Sequence, residues 1–368
     1  MGRKTKPKSQ KRKRETPLSV QPVIESPSLD KPFLVVLALF LAVGFGGYFF
    51  FTRYSPPSTF AELIALSPQE LEKCDVALMN LLCAEGLNGS ENMNISDCME
   101  FLDEITEKVK TATKKQEHQF QKDPAYFDHS ESVYKMMAMI TAVSREMGIK
   151  YDVEATSLSD DEFFEDSRRN FLHGVLSKNY KKGACSSIPT LYYVIGKRLC
   201  YPLHMVPVKK HTILRWEDGK ERFNIECTNG FGSKPDEHYY KEPFPMSEKE
   251  IKEGFYLRNL DKHEILLDFM VNRMACLDSE KRYKEAIEVG SHVFDATPET
   301  YSKYKDSLAY FLQQIDKKHN EPLEIIATNL KFQNDLFGYL DARSEQEERK
   351  RAEKERNEKL NTPSGNYR

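Results

Sequence analysis

Metal-ligand spacing is missing from this chain. Seven cysteines occur in 368 residues, but Cys74, Cys83 and Cys98, and then Cys185, Cys200, Cys227 and Cys276, fall at none of the separations that zinc modules use. A cysteine-built zinc fold is therefore excluded. Nothing in the placement of His204, His211, Glu226 and His238 demands a metal, and no cofactor is expected. An odd cysteine count also leaves at least one thiol unpaired within the chain. Most of the seven read as buried free thiols; Cys185 has three readings open to it, a buried small hydrophobe, half of a disulfide, or a nucleophile.

Long apolar runs are equally scarce, for there is one. Residues 33–51, "FLVVLALFLAVGFGGYFFF", carry no charged side chain. A helix of about 20 residues crosses a hydrocarbon core of about 30 Å, so this stretch predicts a single transmembrane helix. A small-x-small cleavage site is lacking in the "FFFTRYSPPS" that follows, which argues against a removed signal peptide. The formal charge of −3 conceals a strongly basic opening, "MGRKTKPKSQKRKRE". Beside an apolar span, that arm (residues 1–32, expected to be disordered) reads as a topology signal and not as a nucleic-acid patch. The positive-inside rule keeps it in the cytoplasm of a single-pass inner or plasma membrane protein. Everything after Tyr54 is then periplasmic or otherwise extracytoplasmic. Two N-x-S/T sequons, at Asn88 and Asn94, matter only in a eukaryotic secretory cell.

What remains predicts an α+β chain. Residues 52–66 read as a linker and 67–149 as a mostly helical N-terminal region. A helix starts at Ser67, with Pro68 in its first position and Glu70 completing a capping box; it is expected to run on through Cys74 and Cys83. Further helices are expected over about 97–120 and 130–147. Residues 150–245 form the next unit. In "GACSSIPTLYYVIGKRLC", Ile188, Leu191, Ile195 and Leu199 recur at helical period. The period then changes to strands in "YPLHMVPV", "HTILRW" and "ERFNIECT". Residues 246–335 return to helices; a Tyr-x-x-Ala-Ile helix and a Thr-Pro restart resemble one and a half tetratricopeptide units, expected to pack on the preceding domain and to offer a docking face to a protein partner. Residues 336–368 are a charged tail.

The dipeptide Asp218-Gly219 predicts a two-residue hairpin loop. With that loop, Trp216 faces Glu221, Leu214 faces Phe223, and His211 faces Glu226. Directly opposed residues share a face, so an imidazole and a carboxylate stand together while Leu214, Trp216, Phe223 and Ile225 fall on the other, apolar face. A carboxylate beside an imidazole fixes its tautomer and stabilises its cation. Cys185 at the start of a helix meets unsatisfied N–H groups and the positive end of the dipole, which favour a thiolate. The backbone N–H groups of Cys185 and Ser186 are candidates for stabilising an oxyanion. Asn170, His173 and Asn179 are candidates for a side-chain donor, and Asp236 and His238 for lining a cleft.

Three runs, Gly-x-Cys-Ser-Ser…Leu-Tyr…Gly-x-Arg-Leu…Tyr-Pro-Leu, then His-Thr-Ile-Leu-Arg-Trp, then Phe-Asn-Ile-Glu-Cys-Thr-Asn-Gly, resemble the transglutaminase-like superfamily, and within it the SirB1-type branch with C-terminal tetratricopeptide-like helices. "DVALMNLLCAEGL", "SESVYKMMAMITAVSREMGIKYD" and "PDEHYYKEPFPMSEKEIKEGFYLRNL" extend the resemblance over roughly residues 70–315. It implies a papain-like core with an antiparallel sheet and a triad of Cys185 as nucleophile, His211 as base and Glu226 in the acid's place. The acid is Glu where the superfamily usually has Asp, and Ser186 stands where protein-cross-linking members carry Trp. The activity implied is cysteine-dependent acyl transfer or hydrolysis of a peptide or amide, with a peptide or protein substrate. The alternative is an inactive, membrane-tethered peptide-binding scaffold.

Overall fold

A computed structural model describes residues 54–228, 232–240 and 245–297. The basic arm, the apolar run 33–51, the later tetratricopeptide-like residues from 298 and the charged tail lie outside them. Among the described residues no helix is long and apolar enough to cross a membrane. The fold is α+β, with helices around a small antiparallel sheet.

The N-terminal helices follow their caps. The stretch read as linker carries α1 (Phe60–Ile64), capped by Thr59. Ser67 and Glu70 form the expected capping box with Pro68 at the first turn, but the helix they open is short, α2 (Pro68–Leu71). A second helix, α3 (Val76–Ala84), begins again at Asp75, whose carboxylate accepts from the Ala77 N–H. An acidic N-cap inside an apolar stripe restarts the helix, so Cys74 and Cys83 do not share one. α4 (Ile95–Lys122) is capped by Asn94, and α5 (Glu131–Thr141) by Ser130 before it widens into a π-turn over Ala142–Glu146.

Between residues 152 and 180 the chain forms short pieces. α6 (Asp160–Phe164) has a Ser159–Glu162 capping box, and α7 (Leu172–Val175) is one turn. Two short strands, β1 (Lys150–Tyr151) and β2 (Lys182–Gly183), pair in parallel. Helix α8 (Ser187–Arg198) follows. The main sheet runs in the order β3 (Leu203–Val208), β4 (His211–Glu217), β5 (Arg222–Glu226) and β6 (Gly232–Lys234), all antiparallel.

The β4–β5 register departs from expectation by two residues. Trp216 pairs with Phe223 and Leu214 with Ile225. The loop is Gly219-Lys220, one position later than Asp218-Gly219, because Gly219 takes φ +83° and Lys220 does not. A lone positive φ at the first central position is the II′ pattern. The Asp218 carboxylate closes the turn by accepting from the N–H groups of Lys220 and Glu221, both at 2.8 Å. A shift of two keeps every side chain on its face, so His211 and Glu226 share a side as diagonal neighbours and not as a facing pair.

Both faces of the sheet are covered. Helix α8 packs on β3 and β4, and Gly196 lets it approach so closely that a Cβ there would fall on the Leu203 side chain. Leu203, Met205, Leu214, Trp216 and Ile225 are buried on this side, each burial contributing about 1.5–3 kcal/mol. The opposite face, which carries His211, is not simply polar: Val206, Val208 and Ile213 pack with Tyr239, Met246 and Leu257, brought over it by the return of the chain. Beside that cluster the Arg215 guanidinium, 2% exposed, bonds to Asn224 Oδ1, Asp236 Oδ1, Asn259 Oδ1 and the Leu257 carbonyl.

The C-terminal helices α9 (Glu248–Lys252), α10 (Lys262–Ser279) and α11 (Tyr283–Ala296) complete the described chain. α10 and α11 pack together, and α10 lies on α2, α3 and α6. Arg273 Nη1 donates to the carbonyls of Cys83 and Glu85 at 2.8 and 2.7 Å, satisfying the end of α3. α10 thus covers its apolar face with α11 on one side and the helices α2, α3 and α6 on the other.

Candidate active site

The Cys185 turn is held from both sides. Tyr151 pairs with Gly183 across the two short strands, and the Asp152 N–H donates to the Gly183 carbonyl at 2.8 Å. One residue on, the Ala184 N–H donates to the Arg169 carbonyl at 2.9 Å and to Ser187 Oγ at 3.0 Å. The Ser187 hydroxyl in turn donates to the same carbonyl at 2.7 Å. Gly183 is required sterically: a Cβ there would come within 2.5 Å of Val175 Cγ1 and closer still to Ser187 Oγ. Cys185 is half-buried, just ahead of Ser186, the N-cap of α8. Ser186 does not cap with its side chain; its hydroxyl donates to Asn170 Oδ1 at 3.2 Å. The Cys185 and Ser186 amides precede the first helical residue, where a helix offers them no carbonyl of its own.

His211 opens β4 directly after a two-residue turn in which Lys210 takes φ +58°. Its Nε2–H donates to Glu226, with Oε1 at 3.0 Å and Oε2 at 3.1 Å. The two side chains are 16% and 13% exposed. Burial alone pushes the imidazole toward its neutral form. Hydrogen bonds to Cys185 and Glu226, with the charges of both, outweigh it and push the His211 pKa up to about 9. Nε2 is committed to the carboxylate, which leaves Nδ1 for the thiol. Burial would raise the Glu226 carboxyl, but the hydrogen bond and charge of His211 outweigh it and hold it below the usual range. Thr228 assists: its N–H at 3.1 Å and its hydroxyl at 2.7 Å both donate to Glu226 Oε1.

All seven cysteines are free thiols; the disulfide reading of Cys185 falls. Burial pushes the Cys83 and Cys98 thiols up to about 12 and 11 and the Cys227 and Cys276 thiols well up. Cys74 is buried and Cys200 is exposed. A raised pKa makes a poor nucleophile at neutral pH, so these four are separated chemically from Cys185, which has an imidazole beside it.

The other sequence candidates make contacts of their own, Asn170 at the Cys185 turn itself. Asp236 accepts from Arg215, Arg222 and Asn224 and serves as the counter-charge of the buried guanidinium. His238 is exposed, its ring edge-on to Tyr239. His173 is buried against the Ser167 hydroxyl at 3.2 Å, and desolvation pushes it down to about 4. Asn179 is exposed in a turn. Asn170 is 1% exposed and occupied by Ser186 and the Phe163 carbonyl. Sequence reasoning missed Thr228, although Glu-x-Thr places it on the same side of an extended chain as Glu226. It also missed Tyr151, whose distance of 34 positions from Cys185 carries no local signal. Among the described residues no group of three or more His, Cys, Asp or Glu could hold a metal ion.

The arrangement is a thiol, an imidazole and an ionised carboxylate in series, set at the start of a helix. No family model matches the chain, and no curated protein and no solved structure matches it either.

Proposed function

We propose that the chain is a cysteine-dependent acyl-transfer enzyme of transglutaminase-like type, acting on a peptide or amide substrate with water as the ordinary acceptor. One observation carries this reading: His211 bonds through Nε2 to the ionised Glu226 and lies near enough to the Cys185 thiol for that group to help raise its pKa. Such a series activates the nucleophile through a base oriented by a third group.

In the first step Cys185 Sγ attacks the carbonyl carbon. The S–C bond forms as the carbonyl π pair moves to oxygen. The tetrahedral intermediate collapses, the C–N bond breaks, and His211 gives its proton to the departing amine. Water then attacks the thioester, His211 takes the water's proton, and the acid leaves with the thiolate restored. Glu226 keeps its charge throughout and holds the imidazole. The same reading has residues 33–51 span a membrane, with the site on the side opposite the basic arm. It also keeps a docking role for the tetratricopeptide-like helices.

The test is alkylation by iodoacetamide of a Cys200→Ser background, read by peptide mass spectrometry. Cys185 is expected to label fastest at pH 7, and His211→Ala is expected to slow it at least about tenfold, in line with the loss of a paired base. Equal labelling of Cys185 and the remaining thiols, unmoved by His211→Ala, would sink the proposal.

A further inference from the structure

An acyl-transfer site also needs a donor aimed at the developing oxyanion, and the side chains suggested for it from the sequence are engaged elsewhere. Tyr151 is not. Its Cα pairs with that of Gly183 across the parallel strands, and the next residue, Asp152, locks the register through its bond to the Gly183 carbonyl. The tyrosine is therefore fixed two residues from the nucleophile, on a strand independent of both α8 and the main sheet. Its side chain is half-buried, and its hydroxyl has no hydrogen-bond partner among the described residues. A half-buried phenol on the strand beside the Cys185 turn, its hydroxyl bonded to no described protein group, has a donor to spare for a substrate.

The electrostatics point the same way. Burial, and after it the negative charges of Cys185 and Glu226, push the Tyr151 pKa up to about 12. The ring thus lies within the field of both groups, and its proton stays in place across the pH range in which a cysteine enzyme works.

We infer that Tyr151 is a catalytic residue of the proposed reaction, its hydroxyl donating a hydrogen bond to the carbonyl oxygen as Cys185 attacks and negative charge gathers there. The assignment rests on the acyl-transfer reading. The Cys185 and Ser186 amides supply donors from the helix side, and Tyr151 supplies one from the β1 side, so that the oxyanion is held from two directions. Such donors act on charge that appears only in the transition state, which is why they raise rate more than affinity.

The prediction separates two reactions of one thiol. Alkylation by iodoacetamide creates no oxyanion; acylation by p-nitrophenyl acetate does, with nitrophenolate leaving as the thioester forms. Both rates at Cys185 are measured on the full chain in the Cys200→Ser background, with and without Tyr151→Phe. That substitution removes one oxygen and leaves the ring, so the fold is retained, and the alkylation rate itself reports an intact Cys185–His211 pair. The ratio of acylation to alkylation is expected to fall about 10²-fold, the usual loss for one oxyanion donor. An unchanged ratio, in a wild-type protein that acylates readily, overturns the assignment of Tyr151 and leaves the acyl-transfer reading standing. A wild-type protein whose Cys185 is not acylated at all overturns both.

Discussion

Replacing Glu226 by Gln keeps the side chain's shape and removes its charge. In the native protein His211 is raised from an ordinary 6.5 to about 9. Two of the four influences that raise it come from Glu226, the hydrogen bond and the charge; the Gln amide oxygen can still accept from Nε2, so it is the charge that goes, and burial then pulls against what remains. Loss of one adjacent opposite charge moves a pKa by about 1–3 pH units, so the imidazole is expected to titrate about 2 pH units lower, a change of about 3 kcal/mol at 1.36 kcal/mol per unit. At pH 7 the protonated fraction then drops from about 99% to about half. The sign follows from linkage. A raised histidine contributes stability that is complete below pH 6.5 and lost as pH rises through about 9, while the lowered Glu226 contributes above 4.5 and loses it in acid. The melting temperatures of wild type and Glu226→Gln should therefore differ most near pH 6 and converge by pH 10. The assays are a proton NMR titration of the His211 ring, assigned with His211→Gln, and melting curves against pH. A His211 that still titrates near 9 in Glu226→Gln would refute the coupling.

Other expectations follow from the same geometry. Thr228→Val removes the hydroxyl bond to Glu226 while keeping the N–H bond, a loss of about 1 kcal/mol; iodoacetamide labelling of Cys185 should slow about fivefold. Gly183→Ala forces a methyl onto Ser187 and Val175 and should destabilise by about 1–3 kcal/mol, with a slower Cys185 in the folded fraction, measured by urea unfolding and labelling together. Asp236→Ala strips the buried Arg215 of its carboxylate and should cost about 3–5 kcal/mol in urea unfolding; its effect on Cys185 labelling of the folded protein should be small, since Asp236 serves the guanidinium and not the thiol.

The local elements were legible where local chemistry decides them. The capping box at Ser67–Glu70 holds, and the helix period from Ile188 to Ile195 marks α8. The helical period through Cys74 gave no warning of the Asp75 restart, because an N-cap and a helical aspartate look alike in sequence. The hairpin was placed one residue early, since Asp-Gly and Gly-Lys both offer a glycine to a tight turn and only the carboxylate of Asp218 decides between them. His211 and Glu226 meet all the same, because a shift of two preserves parity. β6 and the return of the chain over the His211 face left no period to read, being three residues and an irregular segment. For the same reason Asp236 looked like a cleft residue: its partners Arg215 and Asn224 are 21 and 12 positions away. Tyr151 joins the site only through a parallel pairing, a contact that no short motif encodes.

Whether Cys185, His211 and Glu226 act as a unit is tested most directly by the Cys185 alkylation rate at pH 7 in four proteins: wild type, His211→Ala, Glu226→Gln, and the double variant. Groups that work through one another are not additive. If Glu226 acts only through the imidazole, the double variant labels no more slowly than His211→Ala alone, and each single variant is slower than wild type. Multiplying losses in the double variant, or single variants as fast as wild type, would contradict the triad.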